Sequence, residues 1–143
     1  MSAKALFCTI AACLISACAQ MPGGPPPGPP PGVKAVPCPG ASCDVEVSVK
    51  CDYMVFCKIE APEWVSVPRN NSPVITWALV TPGYTFSDNG IAFASGSPLA
   101  CQREGNTRFM CKDTNTGSGT YKYTITLKGF PFVLPRDPWI QNE

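Results

Sequence analysis

In residues 43–51 (CDVEVSVKC) every odd position is apolar or cysteine and every even one is polar. A period of two belongs to a strand with one buried face. The odd face stays apolar through Tyr53, Val55, Cys57 and Ile59, which predicts either one long bent strand or two strands with a break near Asp52. Pro62 ends the pattern. Residues 74–80 are again β-rich, with Ile75, Trp77 and Leu79 on one face and Trp77 expected at the centre of the core. Pro82-Gly83 makes a turn, Tyr84 and Phe86 open a short strand, and Asp88-Asn89-Gly90 is a further turn before Ile91-Ala92-Phe93. Residues 108–111 and 121–127 complete the set, the latter aligning Tyr121, Tyr123, Ile125 and Leu127. Beyond the N-terminal segment no stretch carries a 3.6-residue period. Short strands with Pro, Gly and Asn punctuation predict an all-β sandwich or barrel over residues 38–143.

Upstream of that domain lie two segments of different texture. Lys4 is followed by a neutral run over residues 5–15 and then by small residues, the layout of a secretory signal. The run is too short to span a bilayer, which takes ~20 apolar residues. Ile15-Ser16-Ala17-Cys18 resembles the lipobox of bacterial lipoproteins. The resemblance implies removal of residues 1–17 and a covalent lipid on Cys18, and two or more acyl chains suffice for stable anchoring. Ile10-Ala11-Ala12-Cys13 fits the box loosely but would leave an unusually short signal. Residue 19 is Ala rather than Asp, which by the sorting convention of such lipoproteins implies the outer membrane. Residues 22–32 are proline and glycine alone. They favour polyproline II and offer no side chains for a core. Residues 18–37 therefore read as a disordered tether reaching at most ~60 Å. PxxP spacing is present, but a spacer is needed between any anchor and its domain, and the segment is read as one.

The signal and the lipid would take Cys8, Cys13 and Cys18, leaving Cys38, Cys43, Cys51, Cys57, Cys101 and Cys111. An even count in an exported chain predicts disulfides. Cys101 and Cys111 flank Glu104-Gly105-Asn106-Thr107, so a hairpin there sets them nearly opposite, and they are expected to pair. The other four allow three pairings. Cys38 and Cys43 span Pro39-Gly40 and can close a small loop. If residues 51–57 were one straight strand, its ends would lie ~20 Å apart, beyond the ~7 Å a disulfide tolerates between Cα atoms. Pairing of Cys51 with Cys57 would therefore require a turn between them.

Little in the sequence points to chemistry. The chain has no histidine, so the commonest general base is missing, and neither GxSxG nor SxxK occurs. The carboxylates mostly alternate with apolar residues, as solvated strand faces do. The expectation is a non-enzymatic protein with no cofactor besides the lipid on Cys18. No CxxC pair exists, and no metal is expected. Residues 113–117 (DTNTG) open like a calcium loop but lack its later glycine and its bidentate glutamate, so a turn explains them better. Eleven Lys and Arg face ten Asp and Glu, and one of the eleven is Lys4 in the segment read as removed. Without a basic run the electrostatic footprint of a nucleic-acid binder is absent.

Ile75-Thr76-Trp77-Ala78-Leu79, Gly83-Tyr84-Thr85-Phe86, Asn89-Gly90-Ile91-Ala92-Phe93, Tyr121-Lys122-Tyr123-Thr124-Ile125 and Asp137-Pro138-Trp139-Ile140-Gln141-Asn142 follow one another in that order. This succession resembles a group of small proteobacterial secreted proteins of immunoglobulin-like β-sandwich type. The resemblance implies a small antiparallel sandwich and an envelope compartment, but no activity. Gly117-Ser118-Gly119-Thr120-Tyr121 resembles the Ser-Gly segment of lipoprotein lysozyme inhibitors, which implies a partner-binding loop carrying Ser118 and Tyr121. The lipobox and proline richness are also shared with outer-membrane spanin subunits of phages, from whose short form the long β domain departs. Phe130-Pro131-Phe132 and residues 135–143 form a proline-broken aromatic tail, expected to cover an open sheet edge rather than dock a partner. Together these features predict an outer-membrane lipoprotein whose β-sandwich, in the periplasm or at the cell surface, engages an envelope or surface protein. The alternative is an inhibitor or immunity protein that blocks a cell-wall hydrolase.

Overall fold

The computed structural model describes residues 28–53 and 56–143, so Cys18 and the first half of the tether lie outside the described residues. The described residues form ten strands: β1 (Ala35–Pro37), β2 (Ser42–Asp52), β3 (Phe56–Glu60), β4 (Trp64–Val67), β5 (Val74–Leu79), β6 (Tyr84–Phe93), β7 (Leu99–Arg103), β8 (Arg108–Asp113), β9 (Gly119–Gly129) and β10 (Trp139–Asn142). They form two five-stranded sheets, β1-β4-β10-β9-β6 and β3-β2-β5-β8-β7. None of the described residues is helical.

Alternation decides which side chains meet between the sheets. Val45 and Val47 of β2, Ile75, Trp77 and Leu79 of β5, and Tyr123, Ile125 and Leu127 of β9 are all buried. Trp77 lies at the centre, as its position in the alternation predicts. Its ring packs edge-on against Tyr123 and Phe93 of the opposite sheet, at centroid distances of 5.3 and 6.4 Å. Phe86 of β6 meets Phe109 of β8 in the same manner at 5.9 Å. Edge-to-face pairs of this kind set the electropositive rim of one ring on the π face of another.

The described residues form an all-β domain stapled by three disulfides, Cys38–Cys43, Cys51–Cys57 and Cys101–Cys111. Cys101 faces Cys111 in the β7–β8 register, and Cys51 faces Cys57 across β2–β3. The break near Asp52 is thus real: β2 ends there and the chain reverses. Tyr53 takes a φ of 55° in the reversal and is 93% exposed.

Three features depart from the reading of the sequence. First, the pairing is mixed rather than wholly antiparallel, since β1 with β4, β4 with β10, and β2 with β5 run parallel. Parallel partners need a crossover, and here β3 and β4 carry the chain from one sheet to the other between β2 and β5. Secondly, Asp88-Asn89-Gly90 does not end a strand. β6 is continuous from Tyr84 to Phe93 and bulges against β9, where Phe86 faces Leu127 but Ile91 already faces Ile125. A Cβ on Gly90 would come within 2.7 Å of Phe86 Cβ, so only glycine lets the bulge fold back this tightly. Thirdly, the tail does not cover an edge. Its last part is β10, an interior strand between β4 and β9, with Ile140 and Asn142 buried. Phe130 and Phe132 are exposed rather than laid on anything. The sheet also takes in residues 35–37, the last of the segment read as tether.

Candidate functional site

The strand directions gather the connections at two ends of the sandwich with opposite chemistry. At one end lie the end of β2 and the start of β3, residues 80–83, the 104–107 turn and the segment leaving β9 at residue 130. The registers fix this grouping: Phe86 N donates to Asn106 O, Val80 N to Val47 O, and Tyr84 faces Gly129. Six of the seven large hydrophobics exposed among the described residues are here, namely Tyr53, Phe56, Val80, Phe130, Phe132 and Leu134. The geometry is held from beneath. The Cys51–Cys57 bridge closes the base of the β2–β3 reversal. Tyr84 Oη donates to Pro131 O at 2.7 Å and pins the 130–134 segment. Arg136 extends the hold by donating from Nη1 to Ile59 O at 3.0 Å.

The other end is polar, and asparagine side chains order it. Asn71 Nδ2 donates to Cys38 O and Gly40 O at 2.9 and 2.8 Å. Asn115 Nδ2 donates to Pro68 O and Asn71 O at 3.1 and 2.7 Å. Thr114 ties the same end to residue 98 through its N–H and its hydroxyl. Asn70 and Asn115 occupy positive φ, a region asparagine tolerates better than most side chains. Between these loops lies a depression of about 330 Å³ lined by Arg69, Asn70, Asn115, Thr116, Gly117, Ser118 and Glu143. The Asp113 carboxylate, read as the start of a turn, does anchor one: its Oδ1 accepts from Asn115 N at 2.8 Å.

Ser118 lies exposed on the rim of that depression. Tyr121 does not join it. Its ring is half-buried against the core and lines a separate depression of about 160 Å³ with Ala94, Ser95, Gly96, Ser97, Thr120 and Lys122. The two residues expected on one partner-binding loop therefore face different surfaces. All six cysteines of the domain are bridged, so none is available as a thiol.

The titratable groups with shifted pKa are structural in setting. Burial pushes the Tyr123 hydroxyl up to about 12, against the Trp77 Nε1–H that donates to it at 3.2 Å. Burial likewise raises Asp113. The Asp137 carboxyl is lowered by its hydrogen bonds from Lys122 and from Thr124, the first at 3.0 Å. Among the described residues no three His, Cys, Asp or Glu side chains gather as metal ligands, and no helix is long and apolar enough to cross a membrane. No family model matches the chain, and no curated protein matches it.

The sequence reading missed the Arg69–Asn70 rim and the apolar end. The Asn70-Asn71 pair beside Pro68 was an available turn signal. The meeting of residues 69–71 with residues 114–118, more than forty positions away, had no local signature.

Proposed function

We propose that this is a lipid-anchored outer-membrane protein whose immunoglobulin-like domain works by holding a partner and performs no chemistry. Cys18 would carry the lipid and residues 19–34 the span from bilayer to domain. The observation that carries the reading is the ordered polar end. Asn71 and Asn115 spend their donors on backbone carbonyls of neighbouring loops, so the rim from Arg69 to Ser118 is rigid before any partner arrives. A preorganised rim loses little loop entropy on binding. Arg69 and Glu143 supply opposite charges on that rim, and among the described residues neither side chain has an ion-pair partner. An envelope protein with a complementary polar loop is the partner this surface fits. Three bridges in one short domain support folding in an oxidising compartment.

The hydrolase-inhibitor reading has less support, because Ser118 and Tyr121 line separate depressions and the residues between them already belong to β9. Intact mass of the protein extracted from membranes tests the anchor: a chain beginning at acylated Cys18 supports it, and an unlipidated mass sinks it. Crosslinking in cells from a photoreactive residue at position 118 tests the rim. Capture of an envelope protein, lost on Arg69→Ala, supports the reading; inhibition of a lysozyme by the purified domain supports the alternative.

A further inference from the structure

We propose that the apolar end of the sandwich seats on an anionic phospholipid bilayer, its aromatic and aliphatic tips entering the headgroup region. The tips are Tyr53 and Phe56 on the β2–β3 reversal and Phe130, Phe132 and Leu134 after β9. They are 93, 74, 90, 70 and 72% exposed. Exposure this high describes side chains that stand away from the body of the protein. Apolar groups scattered singly over a surface need no explanation, but a set gathered on two neighbouring loops at one end does. The loops are neighbours because Cys57, Lys58, Ile59 and Leu134 line one depression.

A protein partner would need a separate pocket for each tip, since binding energy concentrates where anchors are fully enclosed. A bilayer interface has no such requirement. It accepts projecting aromatic side chains wherever they fall, to a depth of ~5–10 Å. The charges agree. Lys50 and Lys58 stand directly opposite each other in the β2–β3 register, just behind Tyr53 and Phe56. Like charges at such a position repel, and the arrangement gains from an anionic surface. Lys58 is partly offset by Glu60 at 3.4 Å, and Asp52 lies on the same hairpin. Among the described residues Lys50 has no ion-pair partner. Lys128, at the far end of β9, adds a third cation, shared with Asp88 at 3.7 Å.

The tips are also held in place. The Cys51–Cys57 bridge ties together the strand ends that carry Tyr53 and Phe56, and the Tyr84 hydrogen bond to Pro131 holds the segment after β9, so seating costs little ordering. The inference does not depend on a lipid at Cys18. It places the polar rim, at the opposite end of the sandwich, away from the bilayer.

The test uses the chain from residue 18 with Cys18→Ser, which carries no acyl group and keeps all ten strands and all three disulfides. Sedimentation with phosphatidylcholine vesicles, with and without phosphatidylglycerol, reads the binding. The chain is expected to sediment with the anionic vesicles, less so as salt rises. Phe130→Ser with Phe132→Ser should lower the partition roughly tenfold or more. Lys50→Glu with Lys58→Glu should abolish the preference for phosphatidylglycerol. All four side chains are exposed, and peptide mapping of the unreduced protein verifies native disulfide pairing in each variant. Absence of sedimentation by the native chain would overturn the proposal, as would binding untouched by the Phe130/Phe132 pair. A stable dimer that the same pair dissociates would overturn it too, by assigning the end to a second copy.

Discussion

Asn142 donates from Nδ2 to Asp113 Oδ1 at 3.2 Å, and both side chains are completely buried. The other oxygen of each, Asp113 Oδ2 and Asn142 Oδ1, has no hydrogen-bond partner. Both orphans are acceptors, so the pair lacks one donor. A proton on Asp113 would supply it. The pair closes the core where β8 and β10 approach the polar end, and an unsatisfied buried carboxylate there costs more than a neutral acid would.

The first prediction follows from the sign of that shift. Burial raises the Asp113 pKa above its ordinary 3.8, outweighing the Asn115 N–H and Asn142 contributions. Between 3.8 and the raised value the folded state holds more protons than the unfolded one, so stability falls as pH rises through that window. Asp113→Asn supplies a permanent donor and removes the slope. Urea midpoints of the native chain and the variant, measured from acid to neutral pH, should diverge in the variant's favour as pH rises. A difference that stays flat would show that Asp113 binds its proton equally in the folded and the unfolded chain.

A second prediction concerns Trp77 and Tyr123, whose 3.2 Å hydrogen bond joins the sheets at the centre of the core. Tyr123→Phe keeps the ring contacts but leaves the buried indole N–H without an acceptor. An orphaned donor costs about 1–3 kcal/mol. Trp77→Phe, which removes the donor together with part of the ring, should cost more through the cavity it leaves. Denaturation should rank the native chain above Tyr123→Phe and that above Trp77→Phe. Equal stability of the native chain and Tyr123→Phe would count against the bond.

How much of this was legible differs from strand to strand for physical reasons. β2, β5 and β9 carry their alternation in the sequence, because each buries one face through its middle. Trp77 and the Cys101–Cys111 pair followed from that alternation and from a local hairpin. β4 and β10 are four residues each, too short for a period to stand out. Their pairing is parallel and joins residues 64–67 to residues 139–142, which only the assembled sheet brings together. Trp64 and Trp139 then stack at 5.6 Å, a contact no spacing rule contains. The prolines before β10 read as a tail because they break every local pattern. The polar rim was hidden for the same reason as β10: its loops meet through tertiary contacts. Ser118 and Tyr121 were grouped by closeness in sequence, yet three residues along a loop entering a strand were enough to turn them to different surfaces.

A third prediction tests the β6 bulge. A methyl group on Gly90 would meet Phe86 Cβ at 2.7 Å and its ring at 2.9 Å. Phe86 is fully buried against Phe109 and cannot give way freely. Gly90→Ala should therefore destabilise by about 1–3 kcal/mol, the range for overpacking a filled core. Gly96→Ala, at an exposed turn with nothing near its Cβ, is strained only by its positive φ of 88° and should cost no more than about 1–2 kcal/mol. Thermal unfolding of the two variants decides between them. A Gly90→Ala protein as stable as the native one would mean that the bulge relaxes.

The last prediction separates the three disulfides. In the chain-entropy account their loops, with sequence separations of 5, 6 and 10, each contribute about 2–3 kcal/mol, too close to rank them. Burial does rank them. Cys38 and Cys111 are completely buried, whereas Cys51 is exposed and Cys57 only half-buried. Cys38–Cys43 is also the one bridge that joins the two sheets, since it ties the end of β1 to the start of β2. Replacing Cys51 and Cys57 by Ser should thus cost only the loop contribution, whereas replacing Cys38 and Cys43 by Ala loses buried contacts as well. Urea denaturation should find the Cys51/Cys57 variant the most stable of the three double variants. Its loosened reversal would still carry Tyr53 and Phe56, so vesicle binding should weaken in it while the fold persists. If the Cys51/Cys57 variant unfolds first, the β2–β3 hairpin is a support of the core rather than a platform built upon it.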